Sequence, residues 1–480
     1  MPLNGADPAR LAVVDIGSNT ASLAVYAASR AGSIDRVADR SEPLRLIRRL
    51  GADGRFPAAA IDRTLDTVAG FVDVAKAHGA STIEVVATSA VRDARNGEEL
   101  AQRFRSRLGL RMRVLDGPAE GVCAATSSVN TLPLDDGFVI DLGGGSLQIV
   151  EVKDRRVLRS VSLPLGALRL TDQFKTEGLP SPAQLTALRR HVLEQLRSVP
   201  WFHRSGTLVG VGGTIRAIAK TERRDRLWPI RHGHGYRLTD DAVETVWELV
   251  SRTDALRRKE IPGLSPHRVE VIVAGTLVVN WAMRVSGFAE LRTSSYGVRE
   301  GVALQRLFGG EEPMVPDRRR AGLLGRFPGS PDEHTRAGEV AAAAGRLFDV
   351  VAPTVDLPAS LRAATVSAAY IRALPPLPSR SDPVEVLLDA PFQGHWQEDT
   401  LVVADLLCGV PRFHLDPWPH QRLRALLDVA AGVTGELRAQ VREGTVIVQG
   451  ARCADDVGRR FAAAFGRALV LSSQGGATIG

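Results

Sequence analysis

The chain has 480 residues, of which 44 % are hydrophobic and 5 % aromatic, and it carries a formal net charge of +7. This length is enough for more than one domain with its own hydrophobic core, and the positive charge favours a polyanionic ligand. A nucleic-acid-binding protein is not indicated, because aromatic residues are few and the sequence shows neither zinc-finger spacing nor a basic–aromatic motif. The three cysteines (Cys123, Cys408 and Cys453) are far apart, which argues against a disulfide framework or a cysteine metal cluster.

Export and membrane signals are not visible in the sequence. The segment Met1–Arg10 lacks a basic stretch followed by an apolar one, so no signal peptide is predicted. The longest apolar stretch, Val271–Met283, is too short to cross a bilayer and predicts a buried helix. We therefore expect a soluble, cytoplasmic protein that does not bind membranes.

The first part of the chain alternates predicted strands and helices. The segment Leu11–Tyr26 contains an apolar strand, then Asp15, a Gly17–Thr20 loop and a second apolar strand. The predicted strands are Leu11–Ile16, Leu23–Ala27, Thr82–Ala87 and Arg111–Leu115, and the predicted helices include Ala58–Ala77 and Gly97–Leu108. This pattern predicts an α/β half-domain over residues 1–130.

The segment Gly137–Val152 repeats the same design. An apolar strand (Phe138–Ile140) leads to Asp141, three glycines follow, and a second strand covers Ile149–Val152. Glycines at a strand end let backbone N–H groups approach an anion, and a neighbouring carboxylate can hold a hard cation. One such segment could be an ordinary hairpin turn, but two copies predict two related half-domains that face one phosphate site.

A third glycine loop lies in the second half-domain, which we place at residues 131–308. Gly212-Gly213-Thr214 follows the strand Thr207–Val211 and precedes a helix, so the helix N-terminus is aimed at an anion. Further helices are predicted at Pro182–Ser198, Asp240–Arg252 and Pro266–Ser286.

A linker is predicted at Gly309–Pro313, and the composition changes after it. Residues 316–480 are rich in alanine, arginine and leucine and predict a mostly helical region. Strands are expected at Val384–Leu388, Glu436–Arg442 and Thr445–Gly450, and a proline-rich loop at Leu374–Pro383.

The glycine segments and several others resemble the family of exopolyphosphatases and guanosine pentaphosphate phosphatases (Ppx/GppA). The further matching segments are Val85–Asn96, Val114–Gly121, Ser162–Asp172, Ile261–Val279 and Ser294–Val302. The resemblance covers residues 10–305 and implies the actin, Hsp70 and sugar-kinase superfold. The expected fold is therefore α/β, with two actin-like (ribonuclease H-like) half-domains with mixed sheets, followed by a mostly helical, degenerate HD-like C-terminal region.

The resemblance also implies a site. Asp141 and the Gly143 backbone match the magnesium (or manganese) position, and Asp15 faces it from the other half-domain. The implied phosphate-binding residues are Asp15, Ser18, Asn19, Gly143, Gly144, Gly145, Ser146 and Gly213. Arg92 matches a substrate arginine whose planar fork suits phosphate, and Glu120 matches the general base. The alternatives are a solvated surface arginine at Arg92 and a glutamate placed for the helix dipole at Glu120.

Two departures from the family pattern concern the chemistry directly. The family has Gly-x-Glu-Glu-Ala where this chain has Gly117–Gly121; we align Glu120 with the catalytic acid, and a shift of one residue would put Ala119 there. Gln148 replaces a glutamate that supports catalysis, and glutamine can hydrogen-bond a hydrated metal but cannot take a proton.

The C-terminal region also departs from its counterpart in longer family members. Asp332–Asp349 resembles the opening helix of an HD-like domain, but Leu361–Leu374 lacks the His-Asp metal pair. His334, His395 and His414 are therefore expected at the surface or in packing rather than as metal ligands.

The leading hypothesis is a magnesium-dependent phosphohydrolase that releases terminal phosphate from inorganic polyphosphate. The alternatives are the same reaction on guanosine pentaphosphate, and a catalytically weak sensor that binds polyphosphate or a nucleotide; an ATP-dependent kinase is a distant fourth. We expect no nucleic-acid partner and a homodimer.

Overall fold

The computed structural model describes residues 10–29, 32–310, 312–377 and 382–472. The chain forms two compact units. The first comprises the residues up to Trp228 and Gly233–Arg318, and the second comprises Pro229–His232 and the residues from Arg319 onward. Within the described ranges, no helix is long and apolar enough to cross a membrane.

The first sheet has five strands in the order β3-β2-β1-β4-β5. They are β1 (Arg10–Ile16), β2 (Thr20–Ala28), β3 (Ile34–Pro43), β4 (Thr82–Ala87) and β5 (Met112–Val114). β1 pairs antiparallel with β2 and parallel with β4, so the sheet is mixed. β1 is apolar from Leu11 to Val14 because both of its faces are covered there: Val14 joins one core cluster and Val13 another.

The second sheet has six strands in the order β10-β11-β9-β6-β7-β8. They are β6 (Gly137–Leu142), β7 (Leu147–Lys153), β8 (Arg156–Leu163), β9 (Thr207–Val211), β10 (Arg237–Thr239) and β11 (Glu290–Thr293). β6 pairs antiparallel with β7 and parallel with β9, which repeats the arrangement of β1 with β2 and β4. The two strand–Asp–glycine segments therefore occupy equivalent positions in the two sheets.

Helices of the first unit cover both sheets. They are α1 (Ala58–Ala77), α2 (Ser89–Asp93), α3 (Gly97–Leu108), α4 (Gly117–Thr131), α5 (Ala167–Phe174), α6 (Pro182–Arg197), α7 (Gly213–Asp225), α8 (Asp240–Arg252), α9 (Ala255–Arg258), α10 (Ile272–Ser286) and α11 (Val298–Phe308). The predicted helix Pro266–Ser286 is wrong at its start. A 3-10 turn covers Pro266–Arg268, and α10 begins only at Ile272.

The second unit is mostly helical and carries a small sheet. Its elements are α12 (Arg318–Arg326), α13 (Pro331–Val351), α14 (Leu361–Ala373), α15 (Pro383–Asp389), α16 (Gln397–Cys408), α17 (Pro417–Ala431), α18 (Asp455–Phe465), β12 (Val433–Arg442), β13 (Thr445–Ala451) and β14 (Leu469–Ser472). The strands predicted at Glu436–Arg442 and Thr445–Gly450 are confirmed, and β14 pairs with β13 as an unpredicted third strand.

The strand predicted at Val384–Leu388 is wrong, because this segment is the helix α15. The Asp382 side chain accepts a hydrogen bond from Val384 N at 2.9 Å, and Pro383 stands in the first turn. An N-cap followed by proline is a helix start, which here outweighs the β-propensity of the valines. Residues 378–381 of the predicted proline-rich loop and residue 311 of the predicted linker lie outside the described ranges.

Two of the histidines in the second unit, His334 and His395, make packing contacts. His395 is fully buried, stacks on Phe392, and its Nε2 lies 2.7 Å from Ser367 Oγ on α14. His334 Nδ1 lies 2.8 Å from the Tyr370 hydroxyl on the same helix. In the described part of the chain, no group of three or more His, Cys, Asp or Glu side chains is arranged to hold a metal ion.

Candidate active site

The first glycine loop, which joins β1 to β2, presents backbone N–H groups to a cleft. The carbonyls of Ser18 and Asn19 accept hydrogen bonds from Ile47 N (3.1 Å) and Arg45 N (2.8 Å), on the side away from the cleft. In a trans peptide the N–H points opposite to the carbonyl of the same unit. The N–H groups of Asn19 and Thr20 therefore face the cleft, which these residues line.

The second loop, which joins β6 to β7, is built in the same way. The carbonyl of Gly143 accepts from Ala167 N at 3.0 Å, and that of Gly144 accepts from Leu168 N at 2.9 Å. The carbonyl of Gly145 accepts from Arg169 Nε at 2.7 Å. The N–H groups of Gly144, Gly145 and Ser146 consequently point into the cleft, and backbone donors arranged in this way suit an anion. The Gly143 carbonyl, part of the backbone predicted at the cation position, is thus bonded to the N-terminus of α5.

The two loops approach each other closely at Gly145, where a side chain would displace its neighbours. A Cβ atom there would overlap Ser89 Oγ and crowd Ser18 Oγ. These two hydroxyls lie 2.6 Å apart and join the first loop to the start of α2. Gly212 is a second such position: its φ is 109°, and a Cβ atom would overlap the Leu142 carbonyl beside Asp141. The N-terminus of α7, with Gly213, thus reaches the same cleft.

Four carboxylates, those of Asp15, Glu120, Asp141 and Glu300, line this cleft of about 160 Å³, and the last three of them are buried. Burial raises the pKa of Asp15 to about 6. Burial and the Asp15 charge raise the pKa of Asp141 to about 7. Burial and the Asp141 charge raise the pKa of Glu120 to about 8, although Arg92 opposes this shift. Carboxylates that raise one another's pKa values share a site that favours added positive charge.

Glu120 lies in the first turn of α4, which positions its side chain. The Asp116 side chain caps this helix by accepting from Ala119 N at 2.7 Å. The Glu120 side chain then lies in the cleft, whereas Ala119 packs against an apolar cluster on β1 and α11. Arg92 Nη1 donates to Glu120 Oε2 at 3.1 Å and to the Leu115 carbonyl at 2.9 Å. The structure therefore brings Glu120, and not Ala119, to the other carboxylates.

Arg92 lies behind Glu120 rather than in the main cleft. It lines an adjoining groove together with Arg169, Ser160 and Ser162. This groove meets the cleft at Gly145 and Ser146, which line both. Arg92 is 23 % exposed and paired, so it is not a freely solvated surface arginine.

Comparison with known proteins decides the family. Residues 25–308 match the Ppx/GppA phosphatase family. This chain belongs to that family. Exopolyphosphatase 1 of Mycobacterium leprae is 30 % identical over 308 residues, which cover 62 % of this chain and 89 % of the relative. Exopolyphosphatase 2 of Mycobacterium tuberculosis is 28 % identical over 314 residues, 62 % of this chain and 98 % of the relative.

Solved structures agree with this assignment. A crystal structure of the Aquifex aeolicus Ppx/GppA family member superposes with a TM-score of 0.56 at 25 % identity, covering 62 % of this chain and 97 % of that one. The predicted family and the predicted α/β fold of two actin-like halves with a helical C-terminal region are confirmed. Membership in this family of phosphatases identifies the chain as a hydrolase of phosphoanhydride bonds.

Gln148, where the family resemblance leads us to expect glutamate, lies on β7 directly opposite Asp141 on β6. It is fully buried, and its Nε2 donates to Ser146 Oγ at 2.8 Å and to Ser162 Oγ at 3.1 Å. Its Oε1 is buried and has no hydrogen-bond partner among the described residues. Gln148 therefore holds the second loop through its N–H groups, while its Oε1 is a buried acceptor without a partner among the described residues.

Several cleft residues of this Ppx/GppA chain escaped the sequence analysis. They are Thr88, Ser89, Arg216, Arg268, Arg299 and Glu300. Arg216 donates to the Ser295 carbonyl at 3.0 Å, and burial lowers its pKa to about 10. Arg216 follows Gly213 by three residues and Arg299 lies inside the matched segment Ser294–Val302, so a signal was present, but arginine is too common in this chain to stand out.

Restoring the glutamate tests the role of Gln148. We expect Gln148→Glu to raise kcat about tenfold in the presence of magnesium, which corresponds to about 1.4 kcal/mol. The added carboxylate would be buried beside Asp141, so without a cation the variant should unfold at a lower temperature than the wild type. The melting temperature with and without magnesium, and kcat for polyphosphate, measure both effects. An unchanged kcat together with an unchanged magnesium response would contradict this role.

Proposed function

We propose that this protein is a divalent-cation-dependent exopolyphosphatase that releases terminal phosphate from inorganic polyphosphate. The observation that carries the proposal is the pair of loops whose N–H groups face one cleft, with the Glu120 carboxylate beside them. The relatives named exopolyphosphatase, which match over most of their own length, support the choice of substrate.

Each group in the cleft has a task in this reaction. The loop amides and Arg216, Arg268 and Arg299 would bind the terminal phosphates, because amide donors and guanidinium groups both suit phosphate oxygens. Glu120 would accept a proton from a water molecule whose oxygen forms the new bond to the terminal phosphorus. The bond from that phosphorus to the bridging oxygen breaks, and the electron pair remains on the shortened chain. Burial and the Asp141 charge raise the pKa of Glu120 to about 8, so its carboxylate is a stronger base than an ordinary glutamate.

Asp15 and Asp141 fit a hard divalent cation. One buried oxygen, Asp15 Oδ1, has no hydrogen-bond partner among the described residues. Burial and the nearby Asp15 charge raise the pKa of Asp141. Mg²⁺ takes one or two carboxylates in such sites and completes its shell with water and phosphate. A bound magnesium or manganese ion supplies positive charge that offsets these carboxylates and the phosphate oxygens.

Binding of the polymer should be strongly electrostatic. Three arginines line the cleft, and the chain carries a net charge of +7. We expect KM for polyphosphate to rise with salt, because exposed charges are screened beyond about 8–10 Å near physiological ionic strength, while kcat at saturating substrate changes little. Steady-state kinetics over a salt series measures this, and an affinity independent of salt would contradict it.

Phosphate release from polyphosphate and from guanosine pentaphosphate, measured side by side with and without magnesium, tests the proposed function. Faster, magnesium-dependent release from polyphosphate supports it. Preference for guanosine pentaphosphate would reassign the substrate. Tight binding of polyphosphate without release from either compound would make the protein a sensor.

A further inference from the structure

The two phosphate loops are each supported from behind by a different element. The 3-10 turn Leu46–Arg49, between β3 and α1, supports the first loop through the bonds from Arg45 N and Ile47 N to its carbonyls. The N-terminus of α5 supports the second loop through the N–H groups of residues 167–169. The position of each loop therefore depends on the element behind it.

These two supporting elements are joined directly to each other. Arg48 Nε lies 2.9 Å and 3.0 Å from the two carboxylate oxygens of Asp172 on α5, and Arg48 Nη2 lies 2.6 Å from Asp172 Oδ1. Arg48 Nη1 also donates to Glu270 Oε2 at 2.8 Å, and Arg45 Nη2 donates to Glu270 Oε1 at 3.2 Å. Beside these ion pairs, Ile47 packs against Ala167 and Leu168. Arg48 thus contacts two acidic side chains of the opposite half of the first unit.

We propose that Arg48 is a positioning residue: by binding Asp172 and Glu270 it sets the distance between the two phosphate loops. We call the contacts of Arg45 and Arg48 with Asp172 and Glu270 the loop clasp. The inference rests on the proposed function in that the cleft binds a phosphate chain. Arg48 does not line the cleft, so its effect on substrate is transmitted through the loops.

The geometry separates the loop clasp from an ordinary surface ion pair. Exposed pairs contribute little to folding stability, and Arg48 and Asp172 are 28 % and 33 % exposed. Arg48, however, binds the Asp172 carboxylate with two nitrogens of its planar guanidinium and the Glu270 carboxylate with the third. This arrangement fixes the orientation of the two supporting elements as well as the distance between them. Because a misplacement of about 1 Å in a binding site can cost about 100-fold in rate, a small stability effect is compatible with a large effect on function.

The first unit is expected to fold without the loop clasp. Arg169, which binds the Gly145 carbonyl, also pairs with Asp93 on α2 at 2.5 Å, so a second contact still joins the two halves. Arg48→Gln and Asp172→Asn are therefore expected to fold and are suitable variants for testing the loop clasp. Arg107→Gln is the matched control, because Arg107 pairs with Asp66 at 2.6 Å but joins α3 to α1 within one half.

Three measurements on the full chain test the proposal: hydrogen exchange of the backbone amides that hold the loops (Arg45, Ile47 and residues 167–169), calorimetric binding of tripolyphosphate, and kcat/KM for polyphosphate. We expect Arg48→Gln and Asp172→Asn each to accelerate this exchange and to weaken tripolyphosphate binding roughly tenfold. The double variant should be no worse than Arg48→Gln alone, since that substitution already removes the contact with Asp172. Arg48→Lys should recover only part of the loss, because lysine lacks the planar fork.

Arg107→Gln should match the wild type in all three measurements. The proposal is overturned if Arg48→Gln lowers the melting temperature but leaves amide exchange and tripolyphosphate affinity unchanged, or if the losses of the single variants add in the double variant. Failure of the proposed function gives a different result. The wild type would then release no phosphate from polyphosphate, while the exchange measurement would still report whether the loop clasp holds the loops.

Discussion

Replacing Glu120 with glutamine is expected to lower kcat by about 10²–10⁴-fold, the usual contribution of a general base. Glutamine keeps the shape of the side chain and can still accept a hydrogen bond from Arg92, so the first turn of α4 should be preserved. What is lost is the ability to take a proton from water. Tripolyphosphate binding should therefore persist. Single-turnover kinetics and calorimetry separate the two effects.

The matched control is Glu151→Gln. Glu151 on β7 is also a glutamate paired with an arginine, Arg159, but it does not line the cleft. This variant should retain wild-type kcat. Ala119→Glu should also change kcat little, because Ala119 packs against an apolar cluster instead of facing the carboxylates. If Ala119→Glu instead raised kcat strongly, or if Glu120→Gln kept wild-type kcat, the assignment of the base would be wrong.

The part of the site predicted from sequence is the part encoded in contiguous segments. A buried strand that ends in aspartate and then glycine fixes a local geometry: the strand positions the carboxylate, and the glycines allow the turn. Two such segments gave Asp15, Asp141 and both loops. Because the same segment occurs twice, the sequence analysis could predict that the two loops face each other. The equivalent strand pairings of the two sheets agree with this repetition.

The part that was missed depends on pairings between distant residues. Arg48 and Asp172 are 124 positions apart, so nothing local distinguishes Arg48 from the many other arginines of the chain. Edge strand β3 was not predicted because most of its residues are polar and exposed, without an apolar run. At Val384 the local signals conflicted, since valines favour a strand whereas Asp382 and Pro383 start a helix, and the capping interaction prevailed.

If the proposed cation site is right, replacing Asp141 with asparagine should abolish the activation of phosphate release by divalent cations. We expect magnesium-dependent phosphate release to fall by more than about 100-fold, since even residues that only orient metal ligands contribute 10–100-fold. The change removes a negative charge from a buried group of carboxylates and so weakens cation binding. It should also lower the pKa of Glu120, which the Asp141 charge raises. Because a lower pKa keeps Glu120 deprotonated, a loss of activity in this variant could not be explained by protonation of Glu120.

A readout independent of turnover completes the test of Asp141. A cation that binds only the folded protein stabilises it, so magnesium should raise the melting temperature of the wild type but not of Asp141→Asn. Asp136→Asn is the control, because Asp136 precedes the same strand, β6, and pairs with Lys153 outside the cleft. That variant should keep both the activity and the magnesium-induced shift. If Asp141→Asn kept them as well, Asp141 would not be a cation ligand, and the role of the second loop would be limited to holding phosphate.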